Sequence, residues 1–314
     1  MASPVPTLTT TSTNWGWQRQ EAYEKFLLSL VEPGAPVKPT LTYWKPLVKI
    51  VNWGVLGTGA VGGEEQRTGE LPNECIVFVD PAGLHHITRP GGPKNASGAA
   101  GAIYTFLGID KDDFFPPEVT AAITRETQAK FYVYGRQPCI HTVGPDFRPP
   151  AERKAGASRE DYTEARAMEL LTETYLNVLK EFCRNNSGRL RTLRLLPISG
   201  GIFSGKFKEQ MPSLTAWALK GAMDLLEPAE MQMLETSKTE LEMCIYMDTE
   251  AQDYQNACNQ AGLRNVMPPQ NAVPTPVPTY SRLTPYGNMA GVKVKTEAFP
   301  TTLGRGPAGY GPPM

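Results

Sequence analysis

The segment Leu195-Leu196-Pro197-Ile198-Ser199-Gly200-Gly201-Ile202-Phe203-Ser204-Gly205-Lys206-Phe207 joins an apolar run to a loop with three glycines. A helical pattern begins close behind it, at Pro212. A strand, a glycine-rich loop and a helix in this order can turn several backbone N–H groups toward an anion, because glycine accepts positive φ and has no side chain to keep a ligand away. Open α/β sheets bind their ligands at such carboxyl ends of strands. An ordinary strand-to-helix turn explains the same residues equally well.

The composition is that of a globular protein without a strong electrostatic field. The 314 residues allow one or two domains. With 31 Lys and Arg against 32 Asp and Glu, the net charge is −1, so charge alone demands neither a nucleic acid nor a membrane as partner. The five cysteines are scattered without a CxxC pair, which favours reduced thiols over a disulfide framework. The three histidines have no spacing that indicates a metal site.

The sequence carries no recognisable secretory or membrane segment. The N-terminus lacks a basic region followed by an apolar run. No stretch approaches the ~20 consecutive apolar residues that span a bilayer. We therefore expect an intracellular protein, cytoplasmic or nuclear, with no membrane partner.

Strand and helix patterns alternate through the middle of the chain. Apolar runs predict strands at 47–53, 74–80, 130–134, 138–143, 191–199 and 241–247. Helical patterns cover 98–107 (between a cap at Ser97 and a stop at Gly108), 158–184 after a Ser158–Asp161 capping box, 212–226 and about 249–258. This alternation predicts an α/β fold with α/β/α layers around a mixed, largely parallel sheet, in a domain at 41–261.

Both flanks differ from this domain in composition. Residues 1–40 are predicted to form an N-terminal extension with one short helix near 18–30. Residues 262–314 are rich in proline and glycine, mildly basic and without apolar periodicity, so we predict a disordered tail. The tail is either simply solvated or a contact for RNA or a partner protein.

A dinucleotide-binding pattern occurs early in the chain. Gly57-Thr58-Gly59-Ala60-Val61-Gly62 matches G-x-G-x-x-G behind a predicted strand, and Asp80 ends the next strand. The mechanism of that site also requires an amphipathic helix after the loop. Residues 63–74 contain one large apolar residue, Leu71, together with two glycines and a proline. We therefore predict a flexible loop there rather than a Rossmann helix.

Four motifs occur in order along the predicted domain: Val79-Asp80-Pro81-Ala82-Gly83, Gly98-Ala99-Ala100-Gly101-Ala102-Ile103, Ile140-His141-Thr142-Val143-Gly144-Pro145 and the loop quoted above. Together they resemble the macro domain family, whose members bind ADP-ribose and related ligands. The third motif matches the family's Ile-His-(Ala/Thr)-Val-Gly-Pro without a gap. The resemblance covers about 41–261. It implies a macro fold with ADP-ribose or an ADP-ribosylated protein as its ligand, and no separate cofactor.

The resemblance also implies which residues form the ligand site. Backbone N–H groups of two segments are expected to hold the diphosphate, namely those of Gly98, Ala99 and Ala100 and those of Ser199, Gly200, Gly201, Ile202, Phe203, Ser204 and Gly205. The helix that begins at Gly98 adds its positive end. Phe203 either walls the ribose or fills the core, and Lys94 either meets a phosphate or is solvated.

Departures from the family pattern bear on turnover. Asp80 stands at the family's first Asn. Gly83 stands at the second, which positions the distal ribose and is implicated in de-ADP-ribosylating members. Ala100 replaces an acid that some hydrolases use. The Asp that reads the adenine amine has no evident counterpart, and Glu64 or Glu65 is the available substitute.

Three candidate catalytic residues remain. Asp80 either accepts a hydrogen bond from a ribose hydroxyl or activates a water, or else it is bonded to nearby loop amides. His85 and His86 are alternative acid–base groups or simply exposed loop histidines. His141, inside a predicted strand, is expected to be a satisfied core histidine.

Three functions are therefore open. The leading hypothesis is a macro-type module that binds ADP-ribose or a related nucleotide diphosphate through backbone donors. The alternative is an ADP-ribosyl hydrolase acting on proteins or small molecules. A further alternative is a non-enzymatic scaffold whose tail contacts RNA or proteins.

Overall fold

The computed structural model describes residues 48–153, 158 and 160–263. In this part of the chain the strands are β1 (Val48–Val51), β2 (Thr58–Val61), β3 (Glu64–Arg67), β4 (Ile76–Pro81), β5 (Ala129–Tyr134), β6 (Gln137–Thr142), β7 (Thr192–Leu195) and β8 (Glu240–Cys244). The helices are α1 (Leu84–Thr88), α2 (Gly98–Leu107), α3 (Pro117–Ala122), α4 (Glu164–Asn185), α5 (Met211–Asp224), α6 (Pro228–Thr236) and α7 (Ala251–Gln260). The predicted N-terminal extension, and the predicted tail from residue 264 onward, lie outside the described residues.

Six strands form one sheet in the order β1-β8-β7-β4-β6-β5. All neighbouring pairs are parallel except β5 with β6. Strand β4 lies in the middle, and its residues from Ile76 to Asp80 are buried, as expected for a strand covered on both faces. The predicted α/β class with a mixed, largely parallel sheet is confirmed.

Helices cover both faces of this sheet. Val77 and Val79 of β4 belong to a core formed with α4, α5 and α7. Phe78, between them, belongs to a second core formed with α1, α2 and α3. Alternate residues of one strand therefore face different helical layers, because side chains of a strand point to opposite faces. This confirms the predicted three layers.

The prediction of a flexible loop after the G-x-G-x-x-G pattern is wrong. Strands β2 and β3 pair antiparallel in that region, joined by Gly62 (φ 61°) and Gly63 (φ 88°). Positive φ at both turn residues is the geometry that a two-residue hairpin prefers. All four residues of β3 are exposed, so the sequence has no apolar alternation there. The prediction that no Rossmann helix follows is confirmed.

Two predicted helix caps differ from the structure. Thr163 caps α4, since its hydroxyl accepts a hydrogen bond from the N–H of Arg166 at 3.2 Å; the predicted Ser158–Asp161 box is not the cap. Ser97 precedes α2 but makes no side-chain capping bond. Gly108 ends α2 as predicted, with φ 72°.

Sequence patterns do not predict the short helices α1, α3 and α6. Helices α3 and α6 begin with Pro117 and Pro228, which suit the first turn of a helix because that turn needs no N–H partner. Each helix is nine residues or shorter, and so is too short to display a full apolar face.

Strand β5 is the last strand of the sheet, and a carboxylate covers part of its outer edge. The N–H of Phe131 donates to Oε2 of Glu181 on α4 at 2.9 Å. Glu181 is buried and also pairs with Arg184 at 3.2 Å.

No helix among the described residues combines the length and apolarity needed to cross a membrane. Within the same residues, no group of three or more His, Cys, Asp or Glu side chains is arranged to hold a metal ion.

Candidate ligand-binding site

The connections of the sheet create a crevice at the carboxyl end of β4. The chain leaves β4 toward α1 and α2 on one face, whereas it leaves the neighbouring strands β6 and β7 toward α4 and α5 on the other face. Loops that diverge from adjacent parallel strands leave an opening between them, which is where open α/β sheets bind ligands. The predicted ligand segments follow β4 and β7, so they lie at this same edge.

The loop after β7 presents backbone donors. Gly200 and Ser204 use their N–H groups within the loop, bonding Pro197 and Gly201. The N–H groups of Gly201, Ile202 and Phe203 have no acceptor within the described part of the chain. We call these three residues the cradle. Three consecutive N–H groups without internal partners form a concave, positively polarised surface suited to an anion.

Segment 144–148, after β6, holds this loop in place. Ser199 has φ 62°, a conformation that costs a non-glycine residue roughly 1–2 kcal/mol. Its hydroxyl donates to the carbonyl of Pro145 at 2.6 Å. The N–H of Phe147 donates to the carbonyl of Phe203 at 2.8 Å. A Cβ at Gly205 would lie 2.1 Å from the carbonyl oxygen of Phe147, so only glycine permits this close packing.

The start of α2 supplies the second set of donors. The first helical N–H groups, of Gly98, Ala99 and Ala100, have no intrahelical acceptor. Ser97 does not cap them, and Gly98 and Ala99 are exposed. The positive end of the helix dipole acts at the same place. β4 and β7 are adjacent parallel strands, about 4.8 Å apart, so the connection that leads to α2 and the loop that holds the cradle start at the same edge of the sheet.

Asp80 is the acceptor at the centre of a buried hydrogen-bond chain. Its Oδ2 accepts from the hydroxyl of Tyr104 at 2.9 Å and from Nδ1 of His141 at 2.7 Å. Nε2 of His141 in turn accepts from the hydroxyl of Tyr134 at 2.9 Å. Burial, and next the charge of Asp80, raise the pKa of Tyr104 well above its usual value. Tyr104 therefore stays protonated and donates.

This chain changes the interpretation of Asp80. The side chains of Asp80 and His141 have no exposed surface, and the partners of Asp80 are neither loop amides nor a ligand. A ligand cannot reach the Asp80 carboxylate in this structure, because its side chain is fully buried. His141 is the satisfied core histidine that the sequence predicts. The catalytic role of Asp80 stays a prediction, and this geometry does not favour it.

His85 and His86 lie beside Gly83, at the carboxyl end of β4. A Cβ at Gly83 would be 2.9 Å from Cε1 of His85 and 3.2 Å from Cδ2 of His86. The two rings are 3.9 Å apart, and Nδ1 of His86 lies 3.1 Å from the carbonyl oxygen of Gly92. The imidazoles therefore occupy the space that a side chain at position 83 would take. Both rings are partly exposed and near the crevice.

Four other candidate residues lie on the surface or at the loop after β7. Lys94 forms an ion pair with Asp113. Glu64 and Glu65 are exposed on β3, which follows β1 at the same edge of the sheet. Phe203 is partly buried, and the guanidinium carbon of Arg148 lies 5.0 Å from the centre of its ring.

Sequence reasoning misses Arg148 and Asp146 as members of this region. Asp146 is buried, and Arg148 donates to it through Nε at 2.9 Å and Nη2 at 2.5 Å. These bonds raise the pKa of the Arg148 guanidinium above its usual value. The signal available in the sequence is their position directly after the Gly144-Pro145 pair of the third motif.

Comparisons with known proteins give structural matches only. No protein-family model matches the chain, and no curated protein matches it. The structure of "Alphavirus P23pro-zbd" aligns with a TM-score of 0.42 and 15% identity, covering 70% of this chain and 24% of that one. The chain thus spans about a quarter of that protein's length.

Two solved macrodomains also align. The Oceanobacillus iheyensis macrodomain with ADP has a TM-score of 0.38 and 16% identity, over 60% of this chain and 85% of its own. The Trypanosoma brucei macrodomain in complex with ADP has a TM-score of 0.38 and 14% identity, over 77% and 95%. TM-scores below 0.5 carry no weight here, so the fold rests on the strand order and layers, and the site on its geometry.

Proposed function

We propose that this chain is a module that binds ADP-ribose or a related nucleoside diphosphate at the carboxyl end of β4. One observation carries the proposal. Two sets of backbone N–H groups, in the cradle and at the start of α2, lack acceptors within the described residues and belong to loops that follow adjacent strands. A diphosphate has anionic oxygens on two phosphorus atoms, and so matches two donor sets that face one crevice.

The free energies expected for these hydrogen bonds fit a binding module. Each charge-assisted hydrogen bond to a phosphate oxygen contributes ~1.5–3 kcal/mol. Three or four such bonds, after the costs of association, correspond to affinities on the order of micromolar. Backbone donors do not depend on side-chain identity, so the departures at Asp80, Gly83 and Ala100 leave this half of the site intact.

Binding is favoured over turnover by the burial of Asp80 and by the residues at positions 83 and 100. Asp80 is fully buried and bonded, and Gly83 and Ala100 supply no functional group. Hydrolysis of ADP-ribosylated substrates and partner capture by the tail are thus not part of the proposal.

The test is calorimetric titration of the full chain with ADP-ribose and with ADP. We expect micromolar-range binding. Ile202→Asp should weaken it about fivefold or more, because a carboxylate within ~4 Å of a phosphate costs ~1 kcal/mol even in water. The Ile202 side chain is 61% exposed, so this substitution leaves the core untouched.

Val133→Asp is the matched control. Val133 is also an exposed apolar residue, at 44%, but it pairs with Pro138 at the far end of β6 from the crevice. The Val133→Asp variant should bind both nucleotides with the affinity of the wild type. No binding of either nucleotide by the wild type at millimolar concentration would contradict the proposed function.

A further inference from the structure

We propose that Arg148 is the charged side chain of this site and contacts the diphosphate held by the cradle. The inference rests on the proposed function and deepens it, since it assigns the ligand's anionic group to a fixed guanidinium in addition to backbone donors. Sequence motifs do not indicate this residue, and three features of its surroundings support the role.

Arg148 is fixed in position before any ligand arrives. Its side chain makes the two-pronged bond to Asp146, whose side chain is 7% exposed. Its N–H donates to Oδ1 of the same carboxylate at 3.2 Å. Its carbonyl accepts from Nε of Arg153 at 2.7 Å, and Arg153 is itself buried. A side chain restrained in this way loses little conformational entropy on binding.

Arg148 also lies directly beside the cradle. The preceding residue, Phe147, is bonded to Phe203, and the guanidinium carbon is 5.0 Å from the centre of the Phe203 ring. A Cβ at Gly205 would lie 2.8 Å from the backbone nitrogen of Arg148. The backbone of Arg148 is therefore packed against the same loop whose N–H groups form the cradle.

The Arg148 guanidinium keeps one edge that Asp146 does not occupy, although the charge of Glu152 also acts on it. Asp146 occupies Nε and Nη2, whereas Nη1 has no acceptor within the described residues. The Arg148 side chain is 20% exposed, compared with 7% for Asp146. The carboxylate thus faces inward and one edge of the guanidinium faces outward. Guanidinium groups bind phosphate through such free N–H edges.

A purely structural clamp is the competing explanation. An ion pair that only ties segment 146–148 together would not require a free guanidinium edge near the cradle, and its loss would act through stability alone. The two roles therefore differ in how ligand affinity responds to charge and to salt.

The experiment compares the wild type, Arg148→Met and Arg148→Lys by titration with ADP-ribose and ADP at two salt concentrations. Arg148→Met should bind both nucleotides about tenfold more weakly or worse. Its affinity should also depend less on salt, because one cationic contact is gone. Arg148→Lys keeps the positive charge but not the two-pronged geometry of the guanidinium. Compared with Arg148→Met, it should therefore regain the salt dependence of binding but only part of the affinity.

Arg136→Met is the matched control. Arg136 also pairs with a carboxylate, that of Glu74, but lies in the β5–β6 turn at the opposite edge of the sheet, so the affinity should not change. Thermal unfolding of every variant establishes that titrations are made on folded protein.

Two results overturn the inference while leaving the proposed function intact. One is wild-type affinity in Arg148→Met. The other is equal weakening in the Met and Lys variants with unchanged salt dependence, which identifies a structural clamp. If the wild type binds neither nucleotide, the proposed function itself fails.

Discussion

Glu126 shows how burial of a single carboxyl group sets a pH response. It is partly buried beside Tyr162, whose hydroxyl donates to its Oε2 at 3.2 Å. Burial raises its pKa above the ordinary 4.5, and the bond from Tyr162 offsets only part of that rise. A raised pKa means that the folded state binds the proton more tightly than the unfolded state does. The stability gained from this proton is present below pH 4.5 and is lost as the pH rises through the raised pKa.

The substitution Glu126→Gln should remove this loss. The wild type should lose more stability than the variant between the ordinary carboxyl pKa of 4.5 and neutral pH, because a neutral amide has no proton to release. Thermal midpoints measured across this window provide the test. Glu118→Gln, at an exposed residue of α3, is the control and should follow the wild type. Identical pH profiles for wild type and Glu126→Gln would contradict this assignment.

Single residues also show that contacts between distant parts of the chain are not predictable from this sequence. The sequence identifies Asp80 as a residue of interest and His141 as a core histidine, yet it does not join them. Asp80 and His141 are 61 positions apart, and they meet only because β4 and β6 pair in a register that places them opposite each other. Arg148 is missed for a similar reason, since its importance comes from Phe203 on a distant loop.

Among the elements, α2 is attached to the sheet by one polar bond as well as by packing. The hydroxyl of Tyr104 reaches from α2 to Asp80 on β4 in a fully buried environment. A buried carboxylate that loses a donor retains its desolvation cost. This bond therefore fixes the helix whose first turn contributes half of the proposed donor set.

The substitution Tyr104→Phe should lower the free energy of unfolding by about 1–3 kcal/mol. Denaturant unfolding measures this value. Tyr132→Phe is the control, because the Tyr132 hydroxyl makes no hydrogen bond within the described residues, and it should change stability much less. An equal effect in both variants would show that the bond to Asp80 contributes little.

Long elements with apolar patterns are predictable from this sequence, and short polar ones are not. The predicted helix at 98–107 has the observed limits of α2, and Gly108 ends it with positive φ although Ser97 makes no capping bond. The hairpin β2–β3 is not predictable, since its second strand, Glu64–Arg67, is exposed throughout. Its pairing is determined by the two positive-φ glycines of the turn.

At the scale of the described molecule, Leu263 packs onto the domain just beyond the last helix, α7. This side chain is 3% exposed and belongs to the core of α4, α5 and α7. Its carbonyl accepts from the N–H of Val48, the first residue of the edge strand β1, at 3.0 Å. The sequence predicts a domain boundary at 261, because the composition changes from Gly262 onward, and that boundary stays a prediction.

A chain that ends at Leu263 should therefore be more stable than one that ends at 261. Burial of the leucine and its hydrogen bond together contribute about 2–4 kcal/mol. Thermal unfolding of the two truncated chains, compared with the full chain, measures the difference. Equal midpoints for the two truncations would show that Leu263 is not needed to complete the core.

The buried carboxylate of Glu181 has a consequence for how copies of this protein meet. An unprotected edge strand offers its N–H groups to any extended peptide. Pairing of this kind is a common route to aggregation and fibre growth. At Phe131 that N–H is already taken by Glu181. An added strand would have to displace this carboxylate, which would then lose the hydrogen bond from Phe131. Glu181 on α4 thus hinders strand addition at this one position of β5.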